Sequence, residues 1–84
     1  MTNKELLKKK IIYSSTHRGS KEMDLLLGGF VKKHINLLKL DELNDLYQII
    51  NKNDEILYQW YFKKDDNVSI PKNKVSMELK KFKI

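Results

Sequence analysis

HRGSKEMDLLLGGFVKKH, residues 17–34, decides the fold. Met23, Leu26, Leu27, Phe30, Val31 and His34 recur at the three- and four-residue spacing that lays one apolar stripe along an α-helix. The stretch departs from an ordinary core helix twice. Arg18 and Gly19 stand ahead of a helix that should begin at Gly19 or Ser20, and Gly28 and Gly29 interrupt the stripe. Each glycine costs about 1 kcal/mol relative to alanine inside a helix. Such a pair marks either a kink or a close approach by a neighbouring backbone. Because the stripe continues in register beyond it, the pattern favours close approach.

Helical spacing extends to both sides. Thr2 or Asn3 can cap a first helix, with Glu5 in its first turn complementing the dipole. Leu7 and Ile11 give that helix an apolar face, which Leu6 and Tyr13 widen, and Ser14-Ser15-Thr16 should end it. Leu40 or Asp41 opens another helix, with Leu43, Leu46, Tyr47 and Ile50 on one side. Residues 51–54, NKND, read as a turn in which Asn53 or Asp54 caps a short helix carrying Ile56, Leu57, Trp60 and Tyr61. After the polar stretch KKDDNVS, Pro71 suits the first turn of a last helix with Val75, Leu79 and Phe82 on its buried face. Nothing alternates with a period of two. The expected fold class is all-α, a compact bundle of about five short helices in one domain covering residues 1–84, with Trp60, Leu26, Leu27 and Phe30 in a shared core.

Composition narrows the function. The chain has no cysteine, which removes disulfides, thiolate ligands and thiol nucleophiles and fits a reducing compartment. No apolar run approaches the roughly 20 residues that span a bilayer, and the first fifteen residues lack a signal-peptide core. A soluble, intracellular chain without membrane insertion is expected. The net charge of +6 is unevenly distributed: residues 1–22 and 63–84 are basic, whereas residues 23–62 carry four lysines against six acids. Basic ends suit an acidic partner or a phosphate backbone, or simply solubility.

No catalytic constellation emerges. His17 and His34 lack ligand-type neighbours, so no metal site is expected, and Asp41, Glu42 and Asp45 are spaced for a solvated face. Trp60 with Tyr58, Tyr61 and Phe62 would suit base stacking, but at helical spacing Trp60 and Tyr61 read more simply as core and rim. Arg18 and Glu22, four apart, either pair with each other on an exposed turn, worth about 0–1 kcal/mol, or form a recognition face with Gly19. These readings predict that Arg18→Ala leaves folding almost intact.

The combination RGSKEMDLLLGGF and, further on, NDEILYQW resembles the SdhE/YgfY family of succinate dehydrogenase flavinylation and assembly factors. Arg18, Gly19 and Glu22 match its Arg-Gly-x-x-Glu motif; Met23 to Gly28 and Phe30 match the run that follows; Asp54, Leu57 and Trp60 match a later acidic turn and tryptophan. The resemblance implies a chaperone-like role rather than an enzyme. Such a protein binds the flavoprotein subunit of succinate dehydrogenase or fumarate reductase and promotes covalent attachment of FAD to it, holding no cofactor stably itself. It further implies that Arg18, Gly19 and Glu22, with His17, Lys21 and Asp24 around them, contact that partner. A free monomer in the bacterial cytoplasm, rather than the mitochondrial matrix, is the matching expectation. The alternative is a small basic helical nucleic-acid-binding protein, which the +6 charge favours and the single arginine disfavours.

Overall fold

A computed structural model describes residues 2–83. Its elements are α1 (Asn3–Thr16), α2 (Lys21–Met23), a π-helical segment (Asp24–Gly28), α3 (Gly29–His34), α4 (Leu40–Ile50), α5 (Asp54–Tyr61) and α6 (Lys74–Lys81). Because α2, the π segment and α3 run without a break in helical backbone, they act as one rod, and the described residues form five helical units without a strand.

Local chemistry sets most boundaries. The side chains of Thr2, Ser20 and Asn53 each accept the N–H three residues on, supplying one of the donors a helix start leaves unpaired. At the start of α4, the Glu42 carboxylate accepts the Lys39 N–H at 2.8 Å. The last helix begins at Lys74 instead of near Pro71. There Asn73 accepts the Ser76 N–H and Ser76 Oγ accepts the Asn73 N–H, both at 2.9 Å. This reciprocal cap outweighs what Pro71 offers from outside the helix.

The expected stripe is buried: Met23, Leu26, Leu27, Phe30 and Val31 join Ile11, Leu43, Leu46, Ile49, Ile50, Leu57, Trp60, Val75 and Leu79 in one core. α1 and α6 both pack against α4, and the π segment packs against α1. Phe82, just past α6, meets the edge of Phe30 at 5.5 Å, and the Tyr61 hydroxyl donates to the Phe82 carbonyl. Leu6 and Tyr13, expected to widen the stripe of α1, are instead exposed.

The glycine pair also reads differently in three dimensions. A Cβ on Gly28 would lie 3.8 Å from the Ser15 carbonyl oxygen and 3.9 Å from Thr16 Cγ2, an ordinary contact rather than a clash. What distinguishes the segment is the π-helical turn over Asp24–Gly28, wider than an α-helical one. The pair therefore accompanies a π-helical turn, which inserts a residue into the rod while keeping the core side chains inward.

Candidate partner-binding face

Between α1 and α2 the chain turns at His17–Ser20, beside the turn joining α4 to α5. Two helix C-termini and one helix N-terminus converge here. The ends of α1 and α4 present carbonyls without helical partners, and α5 begins with a carboxylate. Arg18 fills that space, its side chain only 11% exposed. Nε donates to Asp54 Oδ1 at 2.8 Å, and Nη2 lies 2.7 Å from the same oxygen. Nη1 donates to the carbonyls of Ser14 at 3.2 Å and Ile50 at 2.6 Å, and Nη2 to that of Lys52 at 2.8 Å. Of the five N–H groups of the guanidinium, four donate hydrogen bonds, and the Nη2 contact with Asp54 adds an ion pair.

The backbone of the turn is tied to the same cluster. Asp54 Oδ2 accepts the Gly19 N–H at 3.2 Å, and Asp24 Oδ1 accepts the Arg18 N–H at 3.0 Å. Asp24, Arg18, Gly19 and Asp54 thus form one clasp joining α1, the π segment, α4 and α5. The expected Arg18–Glu22 pair does not form. The guanidinium points inward to Asp54, where carbonyl acceptors surround it, while Glu22 stays exposed and makes no ion pair among the described residues. The expectation that the Arg18 side chain is exposed is corrected accordingly.

What the clasp leaves open is a shallow face. Gly19 is exposed, and a Cβ there would meet only Asp54 Oδ2, at 3.7 Å. His17 is exposed and stacks on Tyr13 with ring centroids 3.9 Å apart. His17 Nδ1 lies 2.9 Å from the Tyr13 carbonyl oxygen, which only accepts, so Nδ1 is the donor there and Nε2 is left on the other side of the ring. Lys21 and Glu22 are exposed on the first turn of α2. Of the six expected contact residues, the structure gathers Arg18, Gly19 and Asp24 into the clasp, sets His17 beside it, and places Lys21 and Glu22 on the adjacent turn.

Asp54 is the residue whose role the sequence reading missed. Its position 36 residues from Arg18 hid the pairing, although the acidic turn had already been singled out as a point of resemblance. Among the described residues no group of three or more His, Cys, Asp or Glu side chains could hold a metal ion.

A family model described as the flavinator of succinate dehydrogenase matches residues 9–83, which include every part of the clasp. The chain belongs to this family. It is 35% identical over 68 residues to the mitochondrial succinate dehydrogenase assembly factor 2 of Meyerozyma guilliermondii, covering 81% of this chain and 50% of that protein. Identity reaches 38% over 60 residues with the protein of that name from Dictyostelium discoideum, covering 71% of this chain and 43% of the other. The FAD assembly factor SdhE of Acetobacter pasteurianus is 28% identical over 74 residues, covering 88% of this chain and 65% of that one. The flavinator-family chain spans about half the length or less of its mitochondrial relatives. No described helix is long and apolar enough to cross a membrane.

Proposed function

We propose that this chain is an assembly factor that binds the flavoprotein subunit of succinate dehydrogenase, or of the related fumarate reductase, and promotes covalent attachment of FAD to it. The observation that carries the reading is the family match across residues 9–83, with the Arg-Gly-x-x-Glu turn held rigidly at one end of the bundle. The chain acts without being a catalyst: it binds one conformation of the partner more tightly than others, and so raises the population competent for attachment. FAD stays the partner's group, and this chain holds no cofactor of its own.

Each part of the face has a role under this reading. Arg18, Asp24 and Asp54 position the turn, exposed Gly19 lets the partner's backbone come close, and His17, Lys21 and Glu22 supply polar contacts at its edge. The free protein is a monomer, because no heptad seam runs along any described helix. It works where the flavoprotein subunit folds: the bacterial cytoplasm, by analogy with the Acetobacter relative, as the matrix would be for the mitochondrial ones. A nucleic-acid-binding role is disfavoured, since the single arginine has its donors committed within the protein.

Covalent flavin fluorescence of the flavoprotein subunit, compared in cells with and without this protein, tests the reading. Gly19→Arg and Glu22→Ala should each lower the signal while melting within a few degrees of wild type. Equal covalent flavin with and without the protein would overturn the proposal.

A further inference from the structure

The fold concentrates positive charge at the end of α4 remote from the clasp. The Arg18 clasp grips the carbonyl at the C-terminus of α4, whereas Lys39 and Glu42 lie at its N-terminus, about 16 Å away along an 11-residue helix. Three of the four lysines in the otherwise acidic middle segment, Lys32, Lys33 and Lys39, lie at the end of α3 and the start of α4. α6 packs on α4 and brings Lys74 and Lys81 to the same place. Residues far apart in sequence thus form one basic rim.

Inside the rim is an open basin of about 540 Å³, edged by Leu37 and floored by Leu38 and Phe82. Leu37 is 75% exposed, the highest value among the large apolar side chains of the described residues. Lys33 Nζ stands 6.0 Å from the centre of the Phe82 ring. Lys74 is neutralised by Glu42 at 3.3 Å; Lys33, Lys39 and Lys81 make no ion pair among the described residues. Glu78 also lines the basin.

We propose that this basin docks an acidic peptide segment of another protein, one that carries a large apolar side chain among its carboxylates. Charge complementarity identifies the occupant. Lys33 and Lys39 on one side and Lys81 on the other offer cations to carboxylates, and the leucine and phenylalanine floor offers burial to an apolar anchor. The two glutamates select among polyanions. A phosphate backbone or an anionic bilayer would bring continuous negative charge against Glu42 and Glu78, whereas a peptide can place its carboxylates over the lysines alone. The basin is also concave, and a planar bilayer would reach Leu37 without reaching Leu38, which is only 6% exposed. This surface is separate from the motif face and does not depend on the flavoprotein reading.

The test uses the full-length, isotope-labelled protein and an end-capped synthetic peptide of sequence EELFEE, followed by amide chemical shifts. Saturable shifts should map to Lys33, Leu37, Lys39 and Lys81 and leave Gly19 and Glu22 unmoved. Replacing the central Leu-Phe by Ser-Ser should weaken binding at least fivefold. Lys33→Glu with Lys81→Glu should weaken it at least tenfold, and Leu37→Ser at least threefold, with unperturbed spectra elsewhere showing that each variant folds. Shifts spread evenly over all lysines, or none at millimolar peptide, would overturn the proposal. So would binding at this basin by phosphatidylglycerol vesicles or an RNA oligonucleotide where the peptide fails.

Discussion

Truncating Arg18 to alanine should strongly destabilise this protein. The substitution leaves the Asp54 carboxylate, 30% exposed, without its counter-ion and leaves the Ser14, Ile50 and Lys52 carbonyls short of a donor. Removing one partner of a largely buried pair costs about 3–5 kcal/mol, chiefly because the other charge remains. The three carbonyls can recover part of their loss from water that enters the gap. A domain of 84 residues has a total stability of about 4–13 kcal/mol. The loss ranges from about a quarter of that stability to all of it, with a fall in melting temperature of at least about 12 °C.

The assay is a thermal and urea melt followed by circular dichroism on Arg18→Ala, Arg18→Lys, Asp54→Asn and the Arg18→Ala/Asp54→Asn pair. Lysine keeps the charge but has three donors on one atom, so it cannot reach Asp54 and the three carbonyls together. It should fall between alanine and wild type. The double variant should be destabilised by less than the sum of its singles, by about 2 kcal/mol, because the two groups share one interaction. A melting temperature for Arg18→Ala within 3 °C of wild type, or strict additivity in the pair, would refute the clasp.

Three further outcomes follow from the packing. Trp60→Ala should cost about 3–5 kcal/mol in a urea melt, since the indole is 7% exposed within the core and Lys80 stands 5.3 Å from the centre of its ring; an unchanged midpoint would remove Trp60 from the core. Gly28→Ala should stabilise by up to about 1 kcal/mol, seen as a rise in melting temperature, because the backbone there is helical and the added Cβ meets only ordinary contacts; a fall would mean that the π-helical turn needs glycine. The carboxyl of Glu42 is held below the ordinary glutamate value, first by the Lys39 N–H that it accepts and then by Lys74. Its stabilising effect is present above the unfolded-state value and lost as pH falls through the lowered folded-state value, so Glu42→Gln should flatten the acid limb of a stability–pH curve and leave the neutral plateau's shape unchanged.

The sequence carried the helices because their determinants are local. The stripe from Met23 to Val31, and Thr2, Ser20 and Asn53 in capping positions, need only a few neighbours to act, and the structure uses them as the spacing implied. Pro71 misled because a permissive residue was weighed above the Asn73 and Ser76 side chains that make the bonds. The clasp was illegible for a different reason. Arg18 binds three backbone carbonyls, which every residue type possesses, and a carboxylate 36 positions away, whereas Glu22 offered a partner at helical spacing. Periodicity records which side chains face a common direction, but the convergence of three helix ends on one guanidinium arises only once the helices have packed.

That convergence changes what the motif can mean. A partner that took a hydrogen bond from the Arg18 guanidinium would displace an acceptor already bound, exchanging one bond for another at little net gain and loosening the clasp. Under the proposed function, recognition at this face therefore rests on groups that folding leaves uncommitted: the open surface of Gly19, the exposed Lys21 and Glu22 side chains and the Nε2 of His17. Arg18 and Asp54 then act one step removed, by fixing the Gly19 backbone through its N–H and the Asp54 carboxylate. The two kinds of residue separate in solution. A variant of Arg18 that lowers flavinylation should lower the melting temperature with it, whereas a variant of Gly19 should lower flavinylation alone. If Arg18→Lys kept its melting temperature and still lost flavinylation, the guanidinium itself would be reading the partner, and Arg18 would not be a positioning residue alone.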